Sequence, residues 1–257
     1  MRREQSQQSA GATRDPQLAT NAAGTLYLVG VPIGHPDDIT IRALAVLSHA
    51  DIVATEDPGA TQTLLRHHNL SVTLTSYGPT KIREKVAVLI HHLLQGASVA
   101  LVSDCGTAVI SDPGCLLVTA AHQNNISVHS IPGPSAVTAA IAASGFPAEA
   151  FHFYGEMTPE KQLHRRRLAS ILNHVEPTIF FCQSTSCLTI LDTIAKITPR
   201  RQITLACNLT MQHETILTGT ARRVAALYKQ GPLPQAVTIV LGGKKPVASR
   251  KKRQRNS

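Results

Sequence analysis

No tryptophan occurs in this 257-residue chain, and aromatic residues make up only 4% of it. A protein that read RNA mainly by stacking bases on aromatic side chains would carry more. Cysteine is sparse and odd in number: five residues, at Cys105, Cys115, Cys182, Cys187 and Cys207. That pattern argues against a disulfide framework and for reduced thiols, so a cytoplasmic location is expected. Cys182 and Cys187 form C-x4-C with no second pair to follow, and His91-His92 has no evident third partner. No metal site is therefore expected. No unbroken run of about 18 apolar residues exists, so no membrane-spanning helix is expected. No apolar run follows Met1 either, and no secretory signal is expected. Walker loops, G-x-G-x-x-G, H-E-x-x-H and nucleophile elbows are also missing, which removes the commonest nucleotide, zinc-protease and hydrolase readings.

What charge there is sits mainly at one end. The net charge is +9, yet residues 244–257, KKPVASRKKRQRNS, hold seven Lys or Arg and no acid. Residues 1–23 carry Arg2, Arg3 and Arg14 against Glu4 and Asp15, which leaves residues 24–243 at +1. Both terminal segments read as disordered. The basic tail suits sequence-independent phosphate contacts, and it would equally serve as a solubilising end.

Val99 to Gly114, VALVSDCGTAVISDPG, organises the rest. Val99, Ala100, Leu101 and Val102 read as a short buried strand. Ser103 to Thr107 then form a polar turn at its carboxyl end, where ligands of open α/β sheets bind. Gly106 lets backbone approach a ligand closely, and Ser111 or Asp112 is expected to cap the next helix with Pro113 in its first turn. Strand-like and helical segments alternate along the chain, so the class is α/β. Ser144 to Ala150, SGFPAEA, reads as a linker between lobes at 24–146 and 147–243. The last apolar stretch, Pro234 to Gly243, is expected to be an edge or closing strand.

The segment S-D-C-G-T-x-x-I-S-D-P-G at Ser103 to Gly114 resembles the S-D-A-G-T-P-G-I-S-D-P-G signature of the ribosomal RNA small subunit methyltransferase I family, part of the tetrapyrrole (corrin/porphyrin) methylase superfamily. Matches also occur at PIG (Pro32 to Gly34), DITIRAL (Asp38 to Leu44), Glu56-Asp57 and PGPSA (Pro132 to Ala136). The resemblance covers residues 24–243 and is densest up to Phe146. It implies the tetrapyrrole methylase fold: two α/β lobes with S-adenosylmethionine in the cleft between them, usually as a homodimer. The implied reaction is methyl transfer to a cytidine ribose 2′-oxygen in small-subunit ribosomal RNA.

Carried over position by position, the resemblance implies a cofactor set of Pro32, Gly34, Ser103, Asp104, Cys105, Gly106, Thr107, Ile110, Ser135, Ala136, Cys182, Asn208 and Leu209. Physically, Pro32 fixes its loop and Gly34 is expected to permit an unusual φ. Lys161, Arg165, Arg166 and Arg167 form a basic cluster that would face RNA, with Ser184 a further substrate contact; a solvated helix face would look the same. Glu56 and Asp57 lead as proton acceptors for the ribose hydroxyl, followed by His213. The acidic pair would also serve as a helix N-terminal cap. Several loops depart from the family pattern, three of them as follows. E-D-T-R becomes Glu56-Asp57-Pro58-Gly59, Y-E-S-P-H-R becomes Cys182 to Cys187, and the residues before Leu209-Thr210 become Cys207-Asn208. These losses leave two alternatives open: a small-molecule methyltransferase of the same superfamily, or a catalytically weak RNA-associated protein.

Overall fold

The computed structural model describes residues 24–157 and 168–244. Within them, two five-stranded sheets follow one another along the chain. The first comprises β1 (Thr25–Val29), β2 (Ile52–Thr55), β3 (Leu74–Ser76), β4 (Val99–Val102) and β5 (Ser127–Ile131), in the order β3-β2-β4-β1-β5. All its pairings are parallel. β4 lies at the centre between β2 and β1, and all four of its apolar residues are buried. A parallel strand covered on both faces has no polar side, which is why VALV shows no alternation.

Four helices cover this sheet: α1 (Ile41–His49), α2 (Pro58–His67), α3 (Ile82–Leu94) and α4 (Cys115–Gln123). Ala43, Val46, Leu47 and Leu65 of α1 and α2 pack with Tyr27 and Val29 on one face. Leu89, Leu93, Leu117 and Ala121 of α3 and α4 pack with Leu26 and Leu101 on the other. Neighbouring β1 residues thus feed opposite cores, as strand alternation requires. Thr40 caps α1 by accepting the Ala43 N–H, and Asp57 caps α2. α4 departs from the sequence expectation. Neither Ser111 nor Asp112 caps it, and Pro113 lies outside it. Asp112 instead accepts the N–H groups of Val109 (2.7 Å) and Gly114 (2.6 Å), closing the loop on itself.

The second sheet comprises β6 (His152–Glu156), β7 (Thr178–Cys182), β8 (Gln202–Cys207), β9 (Thr215–Thr220) and β10 (Val237–Leu241), in the order β6-β7-β10-β8-β9. The stretch expected at an edge is therefore interior: β10 lies between β7 and β8 and runs antiparallel to both. Its five residues are all buried, and this continuous apolarity fits a central strand. Helices α6 (Ser184–Ile197) and α7 (Ala221–Gln230) cover one face. The other face takes α5 (Ala136–Ser144), which follows β5 in the chain yet packs Val137, Ala140 and Ile141 against Ile179, Ala206 and Val240 of the second sheet.

Candidate active site

The carboxyl ends of β4, β5, β7 and β8 converge on one cleft. On the first-lobe side, Gly106 adopts φ +78°, a conformation that costs glycine nothing and other residues about 1 kcal/mol or more. This lets it exchange two backbone bonds with Val31: its N–H donates to the Val31 carbonyl (3.1 Å) and its carbonyl accepts from the Val31 N–H (2.9 Å). Thr107 Oγ1 donates to the Pro134 carbonyl (3.3 Å), and the Asp57 N–H donates to Asp104 Oδ1 (3.0 Å). The loops after β1, β2, β4 and β5 are thus laced together by their own polar groups.

On the second-lobe side, Asn208 at φ +53° accepts the N–H groups of Gln235 (2.8 Å) and Ala236 (3.2 Å) on its Oδ1. Thr210 also adopts a positive φ, +61°, which is uncommon for a β-branched residue. Two bonds hold it there. Its N–H donates to Glu214 Oε2 (2.6 Å), and its Oγ1 accepts the His35 N–H from the first lobe (2.9 Å). Gly34 does not take the unusual φ expected of it. A side chain is excluded there for another reason: a Cβ on Gly34 would stand 2.5 Å from the Leu209 carbonyl oxygen and 2.7 Å from Thr210 Oγ1.

Between these walls lies a cavity of about 280 Å³. Of the expected residues, Cys105, Gly106, Thr107, Ile110, Ser135, Ala136, Cys182 and Leu209 line it. Pro32, Gly34, Ser103 and Asp104 instead face a neighbouring 330 Å³ cavity beside α2, and Asn208 lines an open groove of about 1070 Å³. Ile33, Glu156, Gln183, Gln235, Val237 and Thr238 join the first cavity without having been singled out as site residues. Glu156 is the only charged side chain among the described residues lining it.

The three expected proton acceptors stand outside that lining. Asp57 Oδ1 is occupied by the N–H groups of Gly59 (2.8 Å) and Ala60 (3.1 Å), so Asp57 acts as the α2 cap. Glu56 has a buried Oε1 with no hydrogen-bond partner. Burial, then the nearby carboxylates of Asp112 and Asp104, push its carboxyl above the usual range. His213 is exposed and lines the open groove. Ser184 is tied up structurally, since its hydroxyl donates to the Pro234 carbonyl oxygen. Cys187, at the position of a family arginine, is fully buried in the second-lobe core. Lys161, Arg165, Arg166 and Arg167 lie outside the described residues.

The tetrapyrrole (corrin/porphyrin) methylase family model matches residues 25–225, which hold the whole first sheet and the second sheet up to β9. The chain belongs to this family. It is accordingly a methyltransferase with the tetrapyrrole methylase fold. Within the family it falls among proteins named ribosomal RNA small subunit methyltransferase I. One from Thermotoga maritima is 36% identical over 222 residues, covering 86% of this chain and 99% of its own. Another, from Vibrio cholerae, is 39% identical over 204 residues, covering 79% of this chain and 70% of its own. A solved cobalt precorrin-4 methyltransferase shares the fold at a TM-score of 0.65 and 18% identity, over 85% of this chain and 94% of that one. As a tetrapyrrole methylase the chain brings Cys105 to Thr107 and Ser135-Ala136 to one cavity, while Pro32, Gly34, Ser103, Asp104 and Asn208 line its neighbours. The β10 contribution, Gln235 to Thr238, had a signal in P-x-A before an apolar strand, but that signal does not say which end of the strand meets the cleft.

Proposed function

We propose that the chain binds S-adenosylmethionine in the 280 Å³ cavity and methylates a ribose 2′-oxygen of small-subunit ribosomal RNA, a cytidine as the sequence resemblance implies. The observation that carries this reading is the convergence of the S-D-C-G-T and P-G-P-S-A loops with the carboxyl ends of β7 and β8 on one cavity. The lining suits the cofactor. Ile33, Ile110, Val137, Phe181 and Val237 offer apolar walls for a purine ring, and Thr107, Ser135, Gln183 and Gln235 offer polar groups for its hydroxyl and amino substituents. Glu156 supplies a carboxylate against a cationic ligand.

When bound, the cofactor supplies an electrophilic methyl on a cationic sulfur. The chain's residues then have three tasks. The apolar walls exclude water around the reacting atoms. The Val31–Gly106 bridge and the Asn208 clamp on Gln235 and Ala236 fix the two sides of the cavity, so that acceptor and methyl meet in line, the main source of acceleration for such a displacement. Glu156, at the end of β6, accepts the hydroxyl proton as the ribose oxygen attacks; it lines the cavity, whereas Asp57 does not.

The five free cysteines fit a reducing, cytoplasmic setting, and no described helix is long and apolar enough to cross a membrane. The homodimer implied by the resemblance belongs to the same reading. Ile110 and Leu116, 48% and 45% exposed, offer apolar surface to a second copy, and sedimentation of the purified chain measures it. The deciding experiment is a mass-spectrometric survey of ribosomal RNA ribose methylation with and without the gene, followed by single-turnover methylation of small ribosomal subunits. A second reading, a small-molecule acceptor, draws on one observation: no Lys or Arg is among the described residues lining these cavities. Unchanged ribosomal RNA methylation, with cofactor binding intact, would favour it.

A further inference from the structure

We propose that His152, His174 and Glu176 form a binding site for a divalent transition-metal ion of the zinc class. The site lies at the amino end of β6, the opposite end of that strand from Glu156 and the cleft, so it is separate from the methyl-transfer chemistry. Each residue offers one ligand atom, and the three lie within 4.8 Å of one another. His152 Nε2 and Glu176 Oε2 are 3.3 Å apart. That is about the edge of a tetrahedron built on bonds of roughly 2.0–2.1 Å, the length zinc makes to imidazole nitrogen and carboxylate oxygen. The His152 and His174 rings sit side by side, centroids 3.9 Å apart and tilted by 34°.

Outer partners already hold this set. Tyr154 Oη lies 2.6 Å from His174 Nε2, so His174 would ligate through Nδ1 with Tyr154 orienting its ring. The His174 carbonyl accepts from both the Lys244 N–H (2.8 Å) and Arg201 Nη2 (3.1 Å), which fixes the backbone that presents the ring. The Arg201 cation lies on that backbone side, and the Glu176 carboxylate offsets it. Two nitrogens and one oxygen favour zinc or its neighbours over magnesium, which demands oxygen donors. The three protein ligands leave a fourth position for water. The ion would tie the start of β6 to the segment entering β7, along an edge of the second sheet.

A rival cluster must be separated from this one. Asp37, His67 and His68 also converge, with Asp37 66% exposed against 46% for Glu176. The experiment is zinc titration by calorimetry on the untagged full chain after chelator treatment, in a His67→Ala background, alongside thermal unfolding with and without zinc. The expected result is one saturable site that raises Tm and is unaffected by millimolar magnesium. His174→Ala and Glu176→Gln should each weaken it more than about a hundredfold, beyond the roughly 10–100-fold that losing an outer partner costs. Glu176 is partly exposed, so Glu176→Gln should keep the metal-free Tm, and lost binding there is not lost folding. Absence of a saturable site in the His67→Ala protein, or equal affinity in Glu176→Gln, would overturn the proposal. Neither readout depends on methylation, so the result stands apart from the proposed activity.

Discussion

Replacing Gly34 with alanine should pry the two lobes apart. The added Cβ would meet the Leu209 carbonyl oxygen at 2.5 Å, Met211 Cγ at 2.7 Å and Thr210 Oγ1 at 2.7 Å. Ordinary carbon contacts begin near 3.5 Å, so about 1 Å of separation is required where the first-lobe P-I-G loop meets the loop after β8. Overpacking of this kind costs roughly 1–3 kcal/mol, which for a chain of this size lowers Tm by about 2–12 °C. The functional cost should be larger. Leu209 and Ile33 both line the cleft cavity, and a displacement of about 1 Å between reacting groups lowers rates by about a hundredfold. Gly145→Ala is the control. Gly145 has φ +71° with open space around its missing Cβ, so alanine there should cost about 1 kcal/mol in stability and nothing in cofactor affinity. Thermal unfolding, calorimetry with S-adenosylmethionine and single-turnover methylation measure the three effects. Equal cofactor affinity and rate in Gly34→Ala and Gly145→Ala would refute the reasoning that the Gly34 contact sets the width of the cleft.

Glu156→Gln should lower the single-turnover rate at least tenfold with little change in cofactor affinity if Glu156 takes the proton; lost affinity with an unchanged rate would make it a charge partner instead. Glu56→Gln should stabilise the protein near pH 7 and cease to do so as the pH falls through the ordinary carboxylate range. Its folded carboxyl titrates above the unfolded one, so its contribution to stability is present at low pH and lost as pH rises through the folded value. A Tm series from pH 4 to 8 checks this, and a lower Tm at pH 7 contradicts it. Asn208→Ala should cost about 2 kcal/mol and weaken cofactor binding, because two backbone N–H groups beside the cavity lose their acceptor. Deleting residues 245–257, which carry six Lys or Arg, should flatten the salt dependence of RNA affinity by up to about four units of log–log slope.

The first lobe was the more legible half, and the reason lies in its strands. Where a parallel strand is buried on both faces, a short apolar run followed by Gly, Asp and Ser marks both the strand and its ligand-bearing end, as in Val99 to Thr107. The second sheet mixes directions, and that rule fails there. β10 brings its amino end to the cleft because it runs antiparallel between β7 and β8, so Gln235 and Ala236, which precede the strand, and Val237 and Thr238, which open it, line the cavity. Glu156 escaped notice for a related reason: nothing local shows that a lone acid after His-Phe-Tyr-Gly will stand beside Phe181 at the same edge. Asp57 illustrates the opposite case. A carboxylate at a strand end reads equally as catalyst or cap, and the bonds from Gly59 and Ala60 to Oδ1 show that Asp57 is at least the cap.

The loss of family arginines takes on a different meaning once positions are known. Cys187 lies inside the second-lobe core with Ile190, Tyr228 and Cys207, where a guanidinium would be stripped of water without a partner. Its thiol packs in that core in this chain and presents no surface of its own. Gly59 is different: it is exposed, and the space around it is open apart from Asp57. Since no described residue lining the cleft or its two neighbouring cavities is Lys or Arg, attraction for a polyanion must come from elsewhere in the chain. The densest cation runs in the sequence are residues 161–167 and 244–257. On the proposed reading, capture of RNA and methyl transfer are assigned to separate parts of the chain. Salt should therefore act on substrate affinity far more than on the single-turnover rate, because the transfer step draws on a nearly uncharged cavity and screening has little there to weaken.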